Sequence, residues 1–146
     1  MIRIAAAAVF SLSAASAFAQ MSPVGLWKTI DDKDGSAKSE IRVVENGGVI
    51  SGKIERLLDP KSKPDERCEK CEDDRKNLPI VGLELLRGLK KTDGRDVWEG
   101  GTIVDPNNGT VYRARVTPID GGKKLEMRGF VGAPMFGRTQ TWIRVQ

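Results

Sequence analysis

Beyond residue 22 the chain alternates. Segments in which apolar and polar residues trade places at every second position are separated, roughly every ten residues, by clusters of Gly, Asn, Asp and Pro. This pattern predicts strands at 24–30, 39–45, 48–57, 83–91, 96–104, 110–117, 123–131 and 137–145. The connections NGG (46–48), TDGR (92–95), DPNNG (105–109) and DGG (120–122) put residues that accept positive φ where a hairpin turns. Consecutive strands are therefore expected to pair antiparallel. Segment 83–91 (LELLRGLKK) is ambiguous, because Leu85, Leu86 and Leu89 also fit helical spacing; Gly88 and the Asp-Gly that follows favour a strand.

Pairing the fifth and sixth segments across DPNNG, with Val104 opposite Thr110, sets Trp98, Gly100 and Thr102 opposite Val116, Ala114 and Tyr112. Glu99 then faces Arg115 on the other side. Alternation assigns Trp98, Tyr112, Ala114 and Val116 to the inner face. On the seventh segment Leu125 and Met127 fall inward and Lys124, Glu126 and Arg128 outward. The eighth can present either Trp142, with Arg138 and Gln140, or Ile143 with Val145. Eight meandering strands leave two raw edges unless the sheet closes, so the expected fold is all-β, an eight-stranded antiparallel up-and-down barrel. A two-sheet sandwich is the alternative. A barrel of this size has room inside for packed side chains or for one small ligand.

The first residues change where this barrel is expected to act. MIRIAAAAVFSLSAASAFAQ carries one cation at Arg3, an apolar run from Ile4 to Leu12 and a small-residue close at Ala17-Phe18-Ala19. That is the pattern of a Sec-type signal peptide over residues 1–19, cleaved after Ala19, for a periplasmic or secreted protein. The apolar run is too short for a permanent anchor and no later run approaches about 20 apolar residues, so no stable membrane anchor is expected. Residues 20–146 are expected to form a single barrel domain. Losing Arg3 leaves 23 basic residues against 20 acidic ones. That balance, with export, excludes nucleic acid as a partner.

The stretches GLWKT (25–29), CEKC followed by LPIVGLELLRGL (78–89), VWEGGTIVDPNNGTVYRARV (97–116) and LEMRGFVGAPMFGRTQTWIRV (125–145) resemble a family of bacterial secreted proteins known only as domain of unknown function 2147. The resemblance runs over essentially the whole chain after residue 19. It implies a lipocalin-like, or calycin-like, barrel and no established activity. Gly25-x-Trp27 on the first strand also resembles the G-x-W signature of lipocalins, in which the Trp closes one end of the barrel beneath an Arg from the last strand. Arg144 matches that Arg.

CEKC holds the only two cysteines, Cys68 and Cys71. From Asp65 to Asp74 the segment carries six acids and two bases, a field that opposes a reactive thiolate, and no strand–motif–helix context surrounds it. With two cysteines and no histidine, a four-ligand zinc site cannot be assembled from Cys and His. The pair is therefore expected to be a disulfide, pinning a polar excursion at 59–77. The lack of histidine also removes Ser-His and Cys-His catalysis, and no other catalytic constellation is recognisable. No catalytic residue, metal or cofactor is expected.

Trp98, Tyr112, Met127, Arg138 and Trp142 are the residues expected to line a lumen, with Trp27 and Arg144 closing the barrel. The bland alternative for the aromatic residues is ordinary core. The expected function is non-enzymatic binding of a small hydrophobic or amphiphilic, lipid-like molecule. The alternative is a filled barrel that serves as a protein-interaction module in the cell envelope, with the acidic 59–77 excursion as its contact.

Overall fold

A computed structural model describes residues 21–146. The segment read as a signal peptide lies outside the described residues. Eight strands follow one another in chain order: β1 (Gly25–Ile30), β2 (Ala37–Asn46), β3 (Val49–Leu57), β4 (Glu84–Lys91), β5 (Trp98–Val104), β6 (Val111–Ile119), β7 (Lys124–Phe130) and β8 (Gly137–Arg144). Each pairs antiparallel with the next, and β8 returns to β1, so the sheet is a closed barrel. Closure through Trp27–Arg144 and Lys28–Ile143 joins the two end strands that an open sheet would leave as raw edges. The ambiguous Leu-rich segment is strand β4. Among the described residues no helix is long and apolar enough to cross a membrane.

The pairing of β5 with β6 departs from the simple alternation. Trp98 faces Val116 as expected, but Ala114 is opposite Gly101, Ile103 is opposite Tyr112, and Val104 is opposite Val111 rather than Thr110. The cause is a bulge: Gly100 takes φ +86°, which only glycine adopts without strain, and the extra residue shifts everything after it by one. Ile103 thereby replaces Thr102 on the inner face. The neighbouring Gly101 lies so close to the β4 backbone at Arg87 and Gly88 that a Cβ there would collide with it. Glu99, ahead of the bulge, meets Arg115 at 2.8 Å on the outside as expected.

The interior is filled unevenly. Toward the end where β1 begins, Trp27, Ile41, Val43, Ile50, Leu89, Val116 and Leu125 are fully buried and leave no lumen. The hydrophobic core runs from this packed floor up through Ile54, Leu85 and Ile103 to Cys68 and Cys71. The connections after β2, β4 and β6 lie at the floor end, and those after β1, β3, β5 and β7, with the long 58–83 connection among them, lie at the other end, around a mouth.

Candidate ligand site at the mouth of the barrel

Above the packed floor the barrel opens into a cavity of about 910 Å³. Its apolar wall is made by Ile54, Leu57, Leu85, Ile103, Met127 and Trp142, inward positions of five strands. Polar groups are set into this wall at four points. The Thr29 and Ser39 hydroxyls share a hydrogen bond of 2.8 Å across β1 and β2. Tyr112 contributes a phenol from β6, half-buried against the core. Trp142 Nε1 donates to the Gln140 side-chain oxygen at 3.3 Å, which leaves the Gln140 amide NH2 as a donor on the cavity wall.

The lip carries charges of both signs, and two of its cations are in ion pairs. Lys38 Nζ meets Asp59 at 3.1 Å, and Arg138 meets Asp32 at 2.7 Å. The Lys61 backbone N–H and the Lys38 ammonium, both donating to Asp59, hold its carboxyl below the usual carboxylate range, and the same partnership raises Lys38. The lip therefore presents acids and bases in nearly equal number, rather than a field of one sign, to whatever enters.

The residues read from the sequence as lumen candidates separate into two groups. Tyr112, Met127 and Trp142 line the cavity wall, and Arg138 stands at its lip, engaged by Asp32. Trp98 is elsewhere: it packs into the floor opposite Val116, with the Lys91 ammonium 5.8 Å from its ring, and is absent from the cavity wall. Strand β8 turns Trp142 inward, fully buried, and leaves Ile143 half-buried on the other face.

Trp27 and Arg144 meet at the closed end. The Arg144 guanidinium lies 4.2 Å from the Trp27 ring centre. Its Nε donates to Gly122 O at 2.6 Å, and its two terminal nitrogens donate to Val24 O at 2.8 Å and Ser22 O at 2.6 Å. Burial lowers the Arg144 pKa. Trp27 Nε1 donates to Pro23 O at 2.7 Å, so the buried indole is satisfied as well. One arginine thus ties together the chain entering β1 and the turn before β7, and seals the floor.

Cys68 and Cys71 form a disulfide, fully buried in the core cluster. Around it the excursion folds back on itself: Cys68 N–H donates to Leu78 O, Asn77 N–H to Cys68 O and Ile80 N–H to Glu66 O, all within 2.9 Å. Glu66, Arg67, Glu69 and Lys70 from this segment line the cavity. The segment is therefore one wall of the mouth. It is fastened at its far side by Arg75, only 2 % exposed, which donates to Asp73 and to Glu84 O, and by an ion pair of Asp74 with Arg87 at 2.8 Å. Sequence reasoning missed Arg75, because nothing in EDDRKN marks it off from the cations on either side.

Among the described residues no cluster of His, Cys, Asp and Glu is placed to hold a metal ion. A Helicobacter pylori protein, HP1028, described as belonging to the lipocalin family, has a similar structure: the TM-score is 0.73, over 87% of this chain and 85% of that one, at 22% sequence identity. That likeness establishes the shared barrel fold. Among curated proteins no sequence matches. A family model described as "uncharacterized protein conserved in bacteria (DUF2147)" matches residues 25–144, and the chain belongs to that family.

Proposed function

We propose that this protein is an exported, non-enzymatic carrier that holds one small amphiphilic molecule in the mouth of its barrel. The observation that supports this reading is the cavity of about 910 Å³, in which an apolar wall lies beneath a rim of charged and polar side chains. Ligand sites of drug-sized molecules have this size, with apolar surface for the body of the ligand and polar groups that orient it. The apolar body of the ligand lies against Ile54, Met127 and Trp142. Its polar end reaches the Tyr112 hydroxyl and the Gln140 amide. Because acids and bases stand on the lip in nearly equal number, a neutral or zwitterionic head group is favoured over one with a single fixed charge. Export supplies a compartment in which the Cys68–Cys71 disulfide persists.

The test is native mass spectrometry of protein purified from its own host, alongside the variant Gly129→Leu. Gly129 lines the cavity, and a Cβ there meets nothing nearer than 3.6 Å, so the larger side chain projects into the cup without a backbone collision. Wild type is expected to carry an extractable adduct that Gly129→Leu lacks while remaining folded by circular dichroism. Consistently empty wild-type protein, or an adduct retained unchanged by the variant, would refute the proposal.

A further inference from the structure

The connection between β7 and β8 runs VGAPMFG, and it turns its apolar side chains outward: Val131 is 63 % exposed, Met135 76 % and Phe136 69 %. Three large apolar groups on one short loop are an unusual expense in water unless something covers them. The loop is not slack. Val131 N–H donates to Phe136 O, Phe136 N–H donates to Ala133 O, and Arg128 from β7 donates through Nε to Pro134 O at 2.8 Å and through a terminal nitrogen to Thr139 Oγ1. The backbone is thus braced in a shape that displays these side chains rather than folding them under.

A second feature lies beside it. The barrel closes through β1 and β8 only at its floor: the paired residues are Trp27 with Arg144 and Lys28 with Ile143, and no pair follows toward the mouth. Thr29 and Ile30 on one side and Arg138 to Trp142 on the other are left without a ladder between them, although each strand is paired on its far side. The Arg138–Asp32 ion pair spans this split near the lip. Ile30, Phe136, Arg138 and Gln140 flank it and also line the cavity. The exposed loop, the split seam and the cup are therefore one continuous surface.

We infer that the 131–136 loop docks this barrel, mouth first, on a lipid bilayer surface, with the β1–β8 split as the passage between bilayer and cup. An apolar tip this exposed suits a medium that deforms around it. The charges around the mouth are of both signs, with Asp59, Glu66 and Asp105 standing among Lys38, Lys63 and Arg67. Such a rim complements zwitterionic head groups and gives no reason for preferring anionic ones. Docking serves the carrier reading proposed above, and it brings the apolar passage to the phase in which an amphiphile resides.

The experiment is flotation of the purified protein with phosphatidylcholine vesicles. It compares wild type with Val131→Ser/Met135→Ser and with Val44→Ser, an exposed residue of β2 near the closed end. Val131 and Met135 do not line the cavity, so ligand retention is read separately by native mass spectrometry. Wild type and Val44→Ser are expected to float equally. The double variant is expected to bind roughly tenfold more weakly for each side chain removed, as loss of apolar burial dictates. Enrichment in phosphatidylglycerol or added salt should change little. Failure of wild type to float, equal flotation of the double variant, or flotation that requires anionic lipid would each overturn docking through the apolar tip. So would a wild-type dimer that the two serines convert to monomer without any flotation. An empty cup in protein that floats as expected would refute the carrier reading alone.

Discussion

Arg144 combines two contacts that no aliphatic side chain could make together: a cation over the Trp27 ring and four hydrogen bonds to backbone carbonyls. The planar guanidinium reaches all of them from one rotamer, whereas a lysine ammonium presents a single point of charge. Arg144→Gln is therefore expected to lower stability by about 2–4 kcal/mol in urea denaturation, given the usual worth of hydrogen bonds to charged groups and of a partly desolvated cation–π contact. Arg144→Lys should recover less than half of that loss. A change below about 0.5 kcal/mol for Arg144→Gln, no more than a surface substitution costs, would show that the floor is held by apolar packing alone. This pair was legible beforehand because Gly25-x-Trp27 resembles a known signature. Arg75 had no such mark: its burial arises only when the excursion folds back on β4.

At the scale of elements, the CEKC segment and the DPNNG turn support each other. Gly109, with φ +73°, lies so near the Lys70–Cys71 peptide that a Cβ would collide with Lys70 O. The turn after β5 therefore presses directly on the stapled segment. Closing so small a ring stabilises the fold by about 2 kcal/mol on the chain-entropy formula, and removing two buried sulfurs also leaves a cavity. The double substitution Cys68→Ser/Cys71→Ser is expected to cost about 2–4 kcal/mol, with new protease cleavage confined to residues 59–77. Gly109→Ala should expose the same sites to protease while the disulfide stays intact, as a mass measurement without reductant would show. Cleavage spread over the strands in either variant would contradict a locally fastened excursion. The excursion is also a wall of the cup, so the acidic surface suggested as a contact for an envelope protein belongs partly to the cavity lining.

For the whole molecule, packing is graded from a filled floor to a mouth held by ion pairs, and stability should follow the same gradient. The Arg75 side chain and backbone N–H, both donating to Asp73, hold its carboxyl down at about 2, from an ordinary value of 3.8. Asp74 is lowered by Arg87 and Asp59 by its bonds to Lys61 and Lys38. A carboxylate with a lowered folded-state pKa contributes stability that is complete above its unfolded value and is lost as pH falls through the folded one. All three belong to the 59–77 excursion, Asp59 at the mouth and Asp73 and Asp74 where its far side is fastened. Acidification from about pH 4 to about 2 should therefore speed amide exchange in the 59–77 excursion first, while the Trp27, Ile41 and Leu125 amides stay protected. Uniform loss of protection across the barrel over that range would contradict the gradient.

The alternation of side chains and the turn residues determined the strand number, the hairpin order and most of the inward positions, because each depends only on neighbours in the chain. Leu125, Met127, Ala114 and Val116 could be assigned this way. What needed the tertiary structure was anything set by closure. The bulge at Gly100 moves Ile103 inward in place of Thr102: it shifts the β5–β6 register by one, while β4 and β5 stay in register across it. Trp142 rather than Ile143 faces inward because β8 must place Arg144 over Trp27 at the floor. Trp98 and Trp142 share the inward parity in sequence yet differ in role: one lies below the level at which the barrel is filled and the other above it. That level is a property of how side chains from eight strands meet, and no single strand encodes it.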